Sequence, residues 1–264
     1  MTTKEPGRAS GEAFSRGDRT RSLERGIDIL RAFKPGADLL GNGELAERTG
    51  LPRATVSRLV QTLVDSGLLE HDRRRRAYRL AAPVLSLAHA MRSGSPILQL
   101  AGPLMRIEAE QRKINVGLAV ADRDEMVYLE SVRYSRRVAW RNVVAGQRVP
   151  MELTSLGRAW LAAASVETRR HLMDQFQARR GAGWRAMARD INAALASVRE
   201  HGFCWASWQP QVVALAMPVV VVDHPVYVLN MSVMGDAEPT AVVDRLSGPL
   251  LSLGRRLRES IGQL

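Results

Sequence analysis

The period of the apolar residues changes once along this chain, and that change limits what it can fold into. From Ser22 to Lys113 the prevailing spacing is helical; from Asn115 strand-like runs of period two take over before helices return. Two parts with different periods need two cores, and 264 residues suffice for two domains. An apolar content of 45% rules out a disordered basic tail protein. The longest apolar run, residues 212–222, is broken by Pro218 and falls short of the ~20 residues a bilayer requires, so no membrane span is expected. Residues 1–21 carry Lys4, Arg8, Arg16, Arg19 and Arg21 but no apolar stretch of the signal-peptide kind. They read as a disordered lead-in to a cytoplasmic protein. With Cys204 as its single cysteine, the chain has neither an internal disulfide framework nor a Cys-rich zinc site.

In the first part, Leu23, Ile27, Leu30 and Phe33 mark a helix behind a Ser22 cap, stopped by Pro35-Gly36. A short helix over 44–49 comes next, capped by Asn42 or Gly43 and closed by Gly50. Leu51-Pro52 opens a third helix, with Pro52 in the first turn, that runs to about Ser66. Short strands at 68–71 and 77–80 then flank the polar connection Asp72-Arg73-Arg74-Arg75-Arg76. Three helices and a charged hairpin make a winged helix-turn-helix over residues 22–82.

On the third helix, Val56, Leu59, Val60 and Leu63 form an apolar stripe, leaving Arg53, Ala54, Thr55, Ser57, Arg58 and Gln61 on the other face. Alone, such a helix is an ordinary amphipathic surface helix. The tight turn before it and the hairpin after it make it a recognition helix, whose Arg and Gln side chains suit base edges in the major groove. Arg73, Arg74, Arg75 and Arg76 at the hairpin tip suit phosphate or minor-groove contact. Net charge alone, +11, does not locate the polyanion. Residues 1–82 carry +5 and the remainder +6, but residues 50–80 alone hold seven basic and three acidic groups. That concentration is the electrostatic footprint of a double-stranded DNA partner.

Helices at 83–91 and 97–113 serve as linkers. The second part, residues 114–262, has strands near 116–120, 126–132, 138–143, 203–208, 213–222 and 226–233. Its helices fall at 155–164, 166–177, 184–201 and 240–261. This is an α+β domain with an antiparallel sheet. The five histidines are scattered, His201 and Cys204 lack a second pair for zinc, and no nucleophile elbow, P-loop or dinucleotide fingerprint occurs. No catalytic residue, metal or cofactor is assigned. Thr154-Ser155-Leu156-Gly157 opens a helix, either as a plain N-cap or as a receptor for a carboxylate.

Several segments resemble the IclR-type transcriptional regulators, the isocitrate-lyase-regulator family. They are Ser22-Leu-Glu-Arg-Gly-Ile-Asp-Ile-Leu30, Glu44-Leu-Ala-Glu47, Gly50-Leu-Pro-Arg-Ala-Thr-Val-Ser-Arg58 and Tyr78-Arg-Leu80. Ala145-Gly-Gln-Arg-Val-Pro150, Leu153-Thr-Ser-Leu-Gly-Arg158 and Leu229-Asn-Met-Ser232 extend the resemblance to residue 262. It implies a winged-helix DNA reader joined to a GAF-like effector domain, assembled as a homodimer or a dimer of dimers. It also implies an effector site walled by Leu118, Tyr128, Thr154, Ser155, Leu156, Cys204, Ala214, Asn230 and Ser232. The chain departs from the family at Trp205-Ala-Ser-Trp-Gln-Pro-Gln-Val-Val-Ala214, where acidic and thiol groups are missing. Its pocket therefore suits a larger, partly apolar organic acid, an aromatic one included. Such an effector would act on operator binding by repacking a dimer through the 83–113 helices. The reading from another class is a ligand-binding or catalytic α+β protein whose N-terminal module mediates only protein contacts.

Overall fold

A computed structural model describes residues 20–134 and 144–263, and these divide between Leu87 and Ala88 into two compact units. The expected lead-in and the expected strand at 138–143 fall, wholly or nearly so, outside the described residues.

The first unit packs α1 (Arg21–Ala32), α2 (Asn42–Thr49) and α3 (Arg53–Asp65) beneath the hairpin β1 (Leu69–Asp72) and β2 (Ala77–Leu80). Ile29, Leu40, Leu45, Val56, Val60 and Leu69 form its core. Helix boundaries differ from the sequence reading by a residue or two, as frayed ends do. The first helix starts at Arg21, so Ser22 lies inside it, and the residue before it, Thr20, makes no side-chain cap. Gly41 takes the capping position of α2, its N–H donating to the Glu44 carboxylate at 2.8 Å. Pro52 sits just ahead of α3 rather than in its first turn. Gly50, at φ +68°, makes the turn between α2 and α3 with a left-handed backbone that glycine adopts without cost. Leu40 exchanges backbone hydrogen bonds with Tyr78 at 3.0 and 2.9 Å, pinning the hairpin to the α1–α2 connection.

The helix α4 (Ala82–Ser93) buries none of its residues, whereas α5 (Pro96–Arg112) sinks Ile97, Leu98, Ala101, Met105 and Ala109 into the second unit's core. The expected second linker helix is thus a wall of the α+β domain. Its sheet has the order β5-β4-β3-β8-β7-β6, antiparallel throughout. The strands are β3 (Asn115–Asp122), β4 (Glu125–Arg133), β5 (Arg148–Pro150), β6 (Cys204–Ala206), β7 (Val212–Val219) and β8 (Tyr227–Met234). The strand β5 was not anticipated, and β6 is half the expected length, stopping before Gln209-Pro210. Helices α6 (Ser155–Ala163), α7 (Val166–Arg180), α8 (Trp184–His201) and α9 (Pro239–Ile261) complete the unit.

Successive strand side chains alternate between faces, so the sheet separates two cores. Val116, Leu118, Leu215, Met217, Leu229 and Met231 pack with α5 and α9. Ala119, Met126, Ala216 and Val228 pack with α6, α7 and α8 through Leu156, Leu161, Phe176 and Ile191.

Candidate functional site

Two sites emerge, one in each unit. In the first, α3 buries Val56, Leu59, Val60 and Leu63, and this burial fixes its rotation. Arg53, Ala54, Ser57, Arg58 and Gln61 are exposed in consequence, and Thr55 is half-buried. Ser57 accepts a hydrogen bond from Asn42 at 3.1 Å, and Gln61 donates to Asp65 at 2.8 Å. Arg73, Arg74, Arg75 and Arg76 are all exposed on the hairpin tip. Asp72 shapes that tip. One carboxylate oxygen accepts from the backbone N–H of Arg74 and of Arg75, both at 3.0 Å, and the other pairs with Arg79 at 2.8 Å. The same backbone bonds, with the nearby guanidiniums, hold the Asp72 carboxyl below its ordinary range. Arg79 is therefore tied into the hairpin, while the four tip arginines project charge outward. This arrangement pairs a helix with a polar exposed face and a cationic wing, which is the geometry that reads one groove and grips the backbone beside it.

In the second unit, strand register decides which expected wall residues meet. Gly117 pairs with Asn230, and Asn115 with Ser232; Asn230 in turn pairs with Ala216, and Ser232 with Ala214. Cys204 lies in the same row, opposite Ala216. Cross-strand partners share a face, so Tyr128, Cys204, Ala214, Asn230 and Ser232 all stand on the side of α6. Leu118 does not. It pairs with Leu229 and is fully buried against α5 and α9, because the residues on either side of it take the α6 face.

Two other expectations change character. The Thr154 hydroxyl accepts from the Gly157 N–H at 3.2 Å and donates to the Pro150 carbonyl at 2.9 Å, so it acts as a helix cap. Ser155 and Leu156 are buried beneath it, and the Ser155 carbonyl accepts from the Cys204 thiol at 3.5 Å. Burial pushes that thiol up to about 12, which keeps it protonated and packed.

What register adds is a polar group that the sequence reading missed. Asn115, Gly117, Ser131 and Arg133 line a small cleft together with Tyr128, Asn230 and Ser232. Burial pushes the Tyr128 phenol up to about 12, with a hydrogen bond from Asn230 and the charge of Arg133 acting against it. Desolvation holds Arg133 below its ordinary value. The Asn230 side-chain oxygen is buried and has no hydrogen-bond partner among the described residues. Gly117 makes this cleft possible, since a Cβ there would lie 2.4 Å from that oxygen and 2.5 Å from the Tyr128 ring. The missed signal was parity: 115, 117, 131 and 133 share a face with 230 and 232 only once the strands are paired. Chemically, the cleft offers a cation, a phenol, two amides and two hydroxyls around Gly117.

Known proteins share this two-domain fold. The IclR helix-turn-helix domain matches residues 22–73, and the bacterial transcriptional regulator IclR C-terminal domain matches residues 89–238. The HTH-type transcriptional regulator TsaQ1/TsaQ2 of Comamonas testosteroni is 31% identical over 234 residues, 87% of this chain and 84% of that protein. The crystal structure of an IclR family transcriptional regulator from Brucella abortus superposes with a TM-score of 0.85 at 32% identity, covering 93% of this chain and 94% of that one. An IclR homolog from Microbacterium hydrocarbonoxydans, solved in complex with 4-hydroxybenzoate, shares the fold with a TM-score of 0.68 at 22% identity, covering 92% of this chain and 100% of that one. A winged helix-turn-helix followed by this antiparallel α+β unit, matched over both parts, places the chain in the IclR family of transcriptional regulators.

Proposed function

We propose that the chain binds operator DNA through Arg53, Ala54, Thr55, Ser57, Arg58 and Gln61 in the major groove and Arg73 to Arg76 on the backbone. We further propose that a small aromatic organic acid on the α6 side of the sheet modulates this binding. The buried, unpartnered oxygen of Asn230 carries the second reading. Such an acceptor costs about 1–3 kcal/mol unless a donor reaches it. The cleft encloses only about 20 Å³, room for a hydroxyl and not for a ring, so a hydroxy acid would insert its hydroxyl as the donor to Asn230 and keep its ring and carboxylate outside, toward Arg133. The 4-hydroxybenzoate complex of the Microbacterium homolog supports an acid of this shape. Paired recognition helices of a homodimer would read two half-sites, since one helix alone discriminates weakly.

Fluorescence anisotropy on labelled duplexes from the chain's own upstream region tests both halves. Selective duplex binding should shift when 4-hydroxybenzoate is added, and Arg133→Gln should abolish the shift while leaving DNA affinity intact. Binding indifferent to sequence would end the operator reading. An unaltered acid response in Arg133→Gln would end the assignment of the acid to this face.

A further inference from the structure

The helix α4 begins two residues after the wing strand β2 ends and buries none of its residues, so apolar packing does not fix its place. A side chain in its last turn does. Arg92 donates from one terminal nitrogen to the Leu129 carbonyl and from the other to the Glu130 carboxylate at 2.7 Å, both on β4. Among the described residues it is the side chain by which α4 bonds to the sheet.

These acceptors lie at a β-bulge. Leu118 pairs with Glu130 and Ala119 with Tyr128, which leaves Leu129 without a partner across the ladder. Leu129 packs on the α5 and α9 side, whereas Tyr128 and Ser131, which flank the bulge, line the cleft on the α6 side. The Glu130 carboxylate joins the two: one oxygen takes Arg92, and the other accepts the Ser131 N–H at 2.9 Å. Tyr128 itself is fixed on its outer edge, its N–H donating to the Gln147 carbonyl at 3.0 Å and its carbonyl accepting from Gly146 at 2.7 Å. A displacement imposed from the cleft therefore falls on the bulge, where an unpaired residue yields more readily than a ladder pair.

We propose that Arg92 couples the cleft to α4, its grip on the bulge loosening when a hydroxyl enters beside Tyr128. This rests on the placing of the acid at that cleft. A space of about 20 Å³ admits a hydroxyl only tightly, so entry presses on Tyr128 and Ser131 and carries the Leu129 carbonyl and Glu130 carboxylate out of line with the guanidinium. A guanidinium held by two acceptors is directional, and a small misalignment weakens both bonds. The coupling is reciprocal: as the acid loosens Arg92, so Arg92 opposes the acid.

Isothermal titration of the full chain with 4-hydroxybenzoate, paired with anisotropy on the upstream duplex, tests this. Arg92→Met should bind the acid about five-fold tighter or more, and its DNA affinity should match the acid-saturated parent whether or not acid is added. Arg92→Lys, which keeps the charge but not the two-pronged donor, should fall between them. His89→Ala removes an exposed α4 side chain bonded at 3.2 Å to Ser93 of the same helix and should behave as the parent. The coupling role is overturned if Arg92→Met binds the acid no tighter than the parent, if it keeps the parent's response, or if His89→Ala reproduces it. A parent that binds no acid ends the reading of the cleft instead. Arg92 is then judged on DNA affinity alone, which Arg92→Met should change by a similar factor and His89→Ala should not; an unchanged affinity in Arg92→Met would overturn the role.

Discussion

Replacing Gly157 by alanine tests whether the approach of α6 to the turn before it is as close as the structure shows. A Cβ at that position would lie 2.1 Å from the Met151 carbonyl oxygen and 2.3 Å from its Cα. Contacts below 3.0 Å are essentially never tolerated, so α6 and the Met151 backbone would have to separate by about 1 Å. Neither side yields easily. Met151 is fully buried, and the Thr154 hydroxyl bridges Gly157 to Pro150. Glu152, 1% exposed, is clamped by Arg180 at 2.7 and 3.2 Å. Overpacking against side chains costs about 1–3 kcal/mol; with backbone on both sides the upper value applies, offset by up to about 1 kcal/mol of helix propensity. The net loss of about 2 kcal/mol lowers Tm by roughly 4–8 °C in a unit of this size. Differential scanning calorimetry of the full chain measures it, with Gly102→Ala as the control. Gly102 lies in α5 with no atom within 4 Å of its would-be Cβ, and alanine there should raise stability by about 0.5–1 kcal/mol. A Gly157→Ala protein melting within about 1 °C of the parent would refute the packing argument, because that shift corresponds to well under 1 kcal/mol.

Neutralising Arg73 to Arg76 together should weaken binding to operator and random duplexes alike, lowering the salt slope by about 0.9 for each phosphate that the wing no longer neutralises; an unchanged slope would remove the wing from the interface. Arg58→Ala should instead relax sequence preference by roughly 1–3 kcal/mol, seen as convergence of operator and mismatched-operator affinities. Leu118→Ala should cost about 2–5 kcal/mol in denaturant titrations, yet the folded variant should bind acid as the parent does. Selective loss of acid binding would return Leu118 to the site. The Cys204 thiol gives a pH signature. Its folded pKa is raised from 9.0 to about 12, so the stabilisation it reports is complete below pH 9 and fades as pH rises toward 12. Cys204→Ala should lose less stability over that alkaline range, and parallel decline in both proteins would show that the thiol is not buried as described.

The N-terminal unit was the more legible of the two, for a physical reason. Its site lies within local elements: the stripe of Val56, Leu59, Val60 and Leu63 sets which face of α3 looks outward, and the tip arginines are consecutive in sequence. The tie between Leu40 and Tyr78 was not legible, because it joins backbone groups far apart in the chain and leaves no trace in side-chain pattern. In the second unit, element types were readable from period, while the short strand β5 carries too few residues to show one.

Sequence alone determined the winged helix-turn-helix, the α+β character of the second domain and the places where charge concentrates. These depend on periodicity and on neighbours close in the chain. Tertiary structure alone decided that α5 belongs to the second core, that Leu118 faces away from Tyr128, and that Arg133 and Asn115 stand beside Asn230 and Ser232. Those outcomes depend on register. A strand shifted by one residue moves every side chain to the opposite face, and only pairing between β3, β4 and β8 selects the alignment.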